Sequence, residues 1–110
     1  MDTKVYISGR SHRLSTSVEY SEGAIVSKII SKNEAGNITL FAFDEGQYLS
    51  EHSAPFDAFV QIIEGKANVI IDGKTHKLEE GEFIIMPAEI PHAVEAPKRF
   101  KMMLVMIKGK

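Results

Sequence analysis

Histidines are the residues of this chain whose type suits them best to chemistry. Four occur, His12, His52, His76 and His92, and cysteine is absent. An imidazole can bind a divalent transition metal, and because its pKa lies near neutral pH it can also act as a general acid or base. The lack of cysteine excludes disulfides, thiolate metal sites and a cysteine nucleophile. The chemistry of the chain therefore depends on which histidines its fold brings together.

His12 and His76 have simple structural interpretations. His12 lies between Ser11 and Arg13, which predicts an exposed loop residue. His76 stands in the alternating segment KTHKL and would pair with Val69 across a two-residue turn, partly exposed. His52 and His92 are therefore the candidates for a site.

The elements that position these histidines are short apolar runs separated by turn residues. The runs are rich in β-branched and aromatic side chains, and glycine or proline ends most of them. Asp72-Gly73 predicts a type I′ hairpin, because both central residues of that turn need positive φ. The pattern predicts an all-β sandwich or barrel. The predicted strands cover residues 24–30, 37–43, 59–63, 67–71, 74–78, 82–86, 92–96 and 100–107.

Two of these runs, FIIM and MMLVMI, are apolar at both odd and even positions. A strand that is wet on one face alternates between apolar and polar residues, so both faces of these strands should be covered. The barrel interior covers one face, and a second sheet or a partner subunit covers the other. We therefore predict a homodimer, since cyclic dimers are the commonest oligomers.

Size and charge limit the possible functions. The chain has 110 residues, enough for one domain, with an N-terminal arm over residues 1–22 and a barrel over 23–110. Lys and Arg number 13 against 15 Asp and Glu, a scattered balance that argues against nucleic-acid or membrane partners. No apolar run approaches the roughly 20 residues that span a bilayer. The N-terminal residues lack a signal-peptide pattern, so the expected location is the cytoplasm.

Two stretches of the chain resemble the paired motifs of the cupin superfamily. The first is GQYLSEHSAPFDAFVQIIEG over residues 46–65, and the second is GEFIIMPAEIPHAVEA over residues 81–96. The resemblance implies a small single-domain cupin, whose fold is a double-stranded β-helix or jelly-roll barrel. In that family the first motif supplies a His-x-His pair and a glutamate or histidine, and the second supplies a further histidine. Together they form a half-open metal site.

This chain departs from the family pattern at half of the ligand positions. His52 matches the first histidine and His92 the last. Ala54 stands where the second histidine is expected, and Ala58 stands where the glutamate is expected. The second motif also has Glu89 at its glycine position and Ala96 at its asparagine position. The resemblance therefore implies a degenerate metal site.

Asp57 is the best substitute ligand near the first motif. Its odd spacing from His52 turns it outward in a regular strand, but a bulge at Pro55 would turn it inward. Without it, a pair of histidines binds metal weakly. The expected cofactor is therefore none, or otherwise a divalent transition metal.

The sequence leaves three functional hypotheses open and does not decide whether the chain is an enzyme. The first is a barrel that binds a small molecule without a tightly held metal, in a pocket lined by His52, Ala54, Ala58 and His92. The second is a metal-dependent dioxygenase or isomerase that uses both histidines and a non-standard ligand. The third is a metal-free catalyst with an imidazole acid or base. Bulky side chains would close the pocket if they turned inward: Phe41, Phe43, Phe56, Met86, Met102 and Met103.

Overall fold

The computed structural model of the protein describes residue 6 and residues 8–108, and it confirms the all-β class. A short 3-10 turn, Leu14–Thr16, precedes eight strands. None of the helical segments in the described part is long and apolar enough to cross a membrane. The strands are β1 (Ile25–Asn33), β2 (Gly36–Phe43), β3 (Tyr48–His52), β4 (Ala58–Ile71), β5 (Lys74–Glu79), β6 (Phe83–Met86), β7 (His92–Glu95) and β8 (Phe100–Ile107).

The strands form two antiparallel layers that share β4. The first layer has the order β1-β2-β8-β4-β6, and the second has the order β5-β4-β7-β3. The first part of β4 pairs with β6 and β8, and its last part pairs with β5 and β7. This is the curled jelly-roll arrangement that the sequence predicts.

The prediction of two separate strands around Glu64-Gly65 is wrong, because β4 is continuous there. The sequence indicates two strands, 59–63 and 67–71, with a turn at Glu64-Gly65. Instead the chain continues through these residues as one strand of 14 residues. The pairing with β8 shifts between Ile62 and Glu64, so one residue is bulged out and the alternation of faces reverses. Val60 before the bulge and Val69 after it are consequently both buried in the same core.

The Asp72-Gly73 hairpin is confirmed. Asp72 has φ of 52° and Gly73 has φ of 79°, as a type I′ turn requires. The flanking residues Ile71 and Lys74 pair directly, which fixes the register of β5. His76 consequently lies opposite Val69, and it is half-buried as expected.

The interior between the layers is filled by large side chains. The rings of Phe43 and Phe100 are stacked with their centroids 4.5 Å apart, and neither is exposed. Met86 and Met102 belong to the same buried cluster, and Phe41 packs against it. The other two side chains that could have closed the pocket lie outside the interior. Met103 packs against a second cluster, and Phe56 lines an outer groove.

The N-terminal arm packs on the outer face of the first layer of its own chain. Val18 is fully buried against Leu40 and Ala42. Further along the arm, the Tyr20 hydroxyl donates a hydrogen bond of 2.7 Å to Glu64 Oε2. Lys101 Nζ donates to the Ser15 carbonyl oxygen at 2.5 Å. The arm therefore covers part of a surface that would otherwise expose apolar residues.

Candidate functional site

His52 and His92 lie side by side at one end of the second layer. They pair across β3 and β7, and their ring centroids are 4.5 Å apart in an edge-to-face arrangement with an interplanar angle of 70°. His92 is only 3% exposed, whereas His52 is open to solvent. The two motifs therefore bring their histidines together as the spacing predicts, but the pair lies at the rim of the barrel and not at an interior point.

A bulge in β3 sets the direction of His52. Leu49 pairs with Val94, but the next paired residues are His52 and His92, so β3 has one more residue than β7 in this interval. The extra residue places His52 on the same face as Leu49, which packs against the core. The structure thus has its bulge before His52, whereas the sequence suggests one at Pro55.

Backbone carbonyl groups determine which ring nitrogen of each imidazole carries the proton. Nδ1 of His52 lies 2.9 Å from the Ser50 carbonyl oxygen, and Nδ1 of His92 lies 3.2 Å from the Ile90 carbonyl oxygen. A carbonyl oxygen only accepts, so each Nδ1 carries the proton and each neutral ring keeps its lone pair on Nε2. These carbonyl groups cannot be identified from the sequence, because the residue type does not show which backbone acceptors face a side chain.

His92 favours its neutral form. Burial lowers the pKa of His92 below the usual 6.5, and the nearby His52 lowers it further. The hydrogen bond to the Ile90 carbonyl oxygen opposes this decrease. His92 is therefore an uncharged acceptor at neutral pH.

We expect the stability of the protein to decrease in mild acid because of His92. The unfolded chain takes up a proton on this residue near pH 6.5, whereas the folded chain resists protonation until a lower pH. The free energy of unfolding should therefore fall as the pH drops from 6.5 through the folded-state pKa.

Chemical denaturation of the wild type and of His92→Gln at a series of pH values checks this expectation. His92→Gln should flatten the profile below pH 6.5. His76→Gln, at a half-buried histidine on β5, serves as the matched control and should keep the wild-type slope. A wild-type profile that rises toward acid would contradict the assignment.

The two alanines at the ligand positions of the first motif differ in their surroundings. Ala58 is 3% exposed and pairs with Met86 on β6 and Met106 on β8. Ala54 is half-buried in the loop after β3, and its carbonyl oxygen accepts a hydrogen bond of 2.7 Å from the Glu89 amide. Glu89 has φ of 67°, a conformation that favours glycine, which explains why the family pattern has glycine there.

Asp57 is held by the loop that precedes β7. Its Oδ1 accepts a hydrogen bond of 2.8 Å from the Ala88 amide, and the residue is exposed. Among residues 6 and 8–108, no group of three or more His, Asp or Glu side chains is arranged to hold a metal ion. The donors at the rim are two imidazoles, which fall short of the three or four ligands of a tight site.

Comparison with known proteins agrees with this architecture. The family model for the cupin domain matches residues 39–108. A conserved protein of unknown function from Streptococcus pyogenes, SPY1581, is 35% identical over 96% of this chain and 92% of its own, with a TM-score of 0.90. A Cupin 2 conserved barrel domain protein from Leptotrichia buccalis is 41% identical over 83% of this chain, with a TM-score of 0.80, but this chain spans only 44% of its length.

More distant structures share the fold alone. A mutant form of salicylate 1,2-dioxygenase from Pseudoaminobacter salicylatoxidans is 17% identical over 76% of this chain and 26% of its own, with a TM-score of 0.69. No curated protein matches this chain significantly. The domain match and the similarity to the streptococcal protein show that this chain belongs to the cupin family.

Proposed function

We propose that this cupin binds a small molecule at the rim of its barrel, with His52 and His92 as the polar recognition groups and without a tightly held metal. The observation that carries the proposal is the histidine pair itself. Both Nδ1 atoms are committed to backbone carbonyl groups, so two neighbouring Nε2 lone pairs remain for a ligand. Apolar surroundings with a few polar groups close together are typical of a small-molecule site.

The surroundings of the pair indicate the kind of ligand. Leu49, Ile71 and Val94 present apolar side chains on the face that carries the histidines. Neutral imidazoles offer acceptors, so a suitable ligand has hydroxyl or N–H donors on a small apolar body. Because large side chains fill the interior below, such a ligand rests at the rim beside the exposed His52 and is small.

Cupins include metal-binding proteins, and the residues here fit a metal poorly. Ala54 and Ala58 contribute methyl groups, and the Asp57 carboxylate is bonded to the Ala88 amide. The alternative of a dioxygenase or isomerase would need a third donor beyond the histidine pair. The donor set therefore favours ligand binding by the imidazoles themselves.

Titration of the protein with catechol tests the proposal, because catechol combines two hydroxyl donors with a small ring. The protein is purified without an affinity tag and treated with a chelator. Addition of catechol should then shift the Nε2 resonances of His52 and His92 in 15N NMR spectra. Catechol dimethyl ether, which lacks both donors, should shift neither. His92→Ala should weaken catechol binding by about tenfold, the effect of losing one hydrogen bond of about 1.4 kcal/mol.

Two results would count against this function. One is near-stoichiometric metal in the untreated protein by elemental analysis, retained on dialysis and lost in both His52→Ala and His92→Ala. The other is catechol binding that disappears on chelation or survives unchanged in His92→Ala. The first result would favour the metal-dependent alternative.

A further inference from the structure

A lysine extends the row of paired residues that contains the two histidines. Across the second layer, Lys74 on β5 pairs with Ile71 on β4, and Ile71 in turn pairs with His92 on β7. His92 pairs with His52 on β3. Residues directly opposite each other on neighbouring strands project from the same face of a sheet. These four residues, which we call the rim row, therefore present a cation, an apolar side chain and two imidazoles in that order.

The alternation of faces along β5 gives the same orientation for Lys74. Leu78, four residues later on this strand, is 5% exposed and belongs to the interior cluster. Successive residues of a strand point to opposite faces, so Lys74 shares the inward face with Leu78. Lys74 is nevertheless exposed, because it is the first residue of β5 and lies at the rim. Its ammonium group is therefore in contact with water on the face that carries the histidine pair.

The charge of Lys74 is available for a ligand. In the part of the chain that the structure describes, the ion pairs are Arg99 with Asp44 and Lys101 with Glu64, and Lys74 has no carboxylate partner. The other residues of the rim row carry no negative charge. An unpaired ammonium group at one end of the row therefore attracts an anion.

The spacing of the rim row indicates the size of the ligand. Neighbouring strands are about 5 Å apart, so the Cα atom of Lys74 lies roughly 10 Å from that of His92. The methylene stem of a lysine can lie along an apolar surface while its ammonium group stays in water. Here that surface is Ile71, which packs against the interior cluster. A stem directed along Ile71 brings the cation within reach of a small molecule that contacts His92.

We propose that the ligand at the rim is a small hydroxylated carboxylic acid whose carboxylate binds Lys74. This proposal rests on the function proposed above, because the histidine pair must accept the hydroxyl donors. The apolar body of the ligand then lies over Ile71, between the imidazoles and the ammonium group. The hydrogen bond from an ammonium group to a carboxylate is charge-assisted, so the site prefers the acid to a neutral analogue of the same shape.

Dihydrocaffeate and its methyl ester test the proposal, because both carry the catechol group and only the first is negatively charged. In NMR titrations of the chelator-treated protein, dihydrocaffeate should bind about threefold more tightly than the ester, as one solvent-exposed ion pair allows. Lys74→Gln should abolish this preference. Lys77→Gln is the matched control, because it removes the same charge from the opposite face of β5, where Lys77 pairs with Asn68. It should keep the threefold preference that one exposed ion pair gives.

Lys74→Glu provides a second variant, in which the reversed charge should make the ester the tighter ligand. Absence of binding by catechol and dihydrocaffeate alike would overturn the proposed function and this inference with it. Catechol binding by a wild type that does not distinguish the acid from the ester would overturn the inference alone. So would a preference for the acid that persists in folded Lys74→Gln and Lys74→Glu, or one that Lys77→Gln abolishes equally. Circular dichroism shows whether each variant is folded.

Discussion

Replacement of Gly65 by alanine should lower the free energy of unfolding by about 3–4 kcal/mol. Gly65 has φ of 82° within β4, where an L side chain is strained. An added methyl group would also meet the carbonyl oxygen of Arg99 and lie 3.0 Å from Cα and Cβ of Phe100. The neighbouring backbone cannot move away easily, because β8 is hydrogen-bonded to β2 on its other side. The loss is large for a domain whose total stability is about 5–15 kcal/mol.

Gly81→Ala separates the two contributions. Gly81 also has positive φ, 89°, but a methyl group there has no heavy atom within 4 Å. Gly81→Ala should therefore lower the free energy of unfolding through backbone strain alone, by about 1 kcal/mol. Urea denaturation of both variants gives the comparison. Equal losses at the two glycines would show that the close approach of β8 does not constrain Gly65.

Phe43→Ala should destabilise the barrel by about 3–5 kcal/mol. Phe43 is not exposed, and its ring stacks on Phe100 at 4.5 Å in the centre of the interior. Truncation removes this contact and leaves a cavity that the rigid layers on either side cannot close. Thermal and urea unfolding measure the loss.

Tyr48→Ala is the control for truncation of an aromatic residue in a strand. Tyr48 is 64% exposed on β3, so its loss should change stability by about 0.5 kcal/mol or less. If Phe43→Ala were equally mild, the interior would not be packed as the structure indicates. That result would also weaken the conclusion that a ligand is confined to the rim.

Much of the fold follows from local sequence, and β4 shows where local sequence is insufficient. The Asp72-Gly73 turn was predictable because two successive residues with positive φ define the hairpin type. Gly65 also has positive φ, but it lies within a continuous strand and pairs with Phe100 on β8. A glycine with positive φ can stand in a turn or within a strand, and only the pairing with β8 distinguishes the two cases here.

The proximity of His52 and His92 was predictable from the sequence, and the chemistry of the pair was not. Motif spacing was enough to indicate that His52 and His92 meet, and the structure places their rings 4.5 Å apart. The choice of Nδ1 as the protonated nitrogen depends on backbone carbonyl groups two residues earlier, which the residue types do not reveal. The bulge before His52 and the bond from the Ala88 amide to Asp57 depend on contacts between separate segments. Such contacts leave no trace in the residue types of one segment.

The sharing of β4 between the two layers has a consequence for how the barrel opens. This strand is hydrogen-bonded to β5, β6, β7 and β8 along its length. Because one continuous strand belongs to both layers, the layers can separate only if β4 leaves its partners in one of them. We therefore expect the amide protons of β4 to exchange with solvent only when the whole domain unfolds, and we expect proteases to find no half-open form with one layer intact.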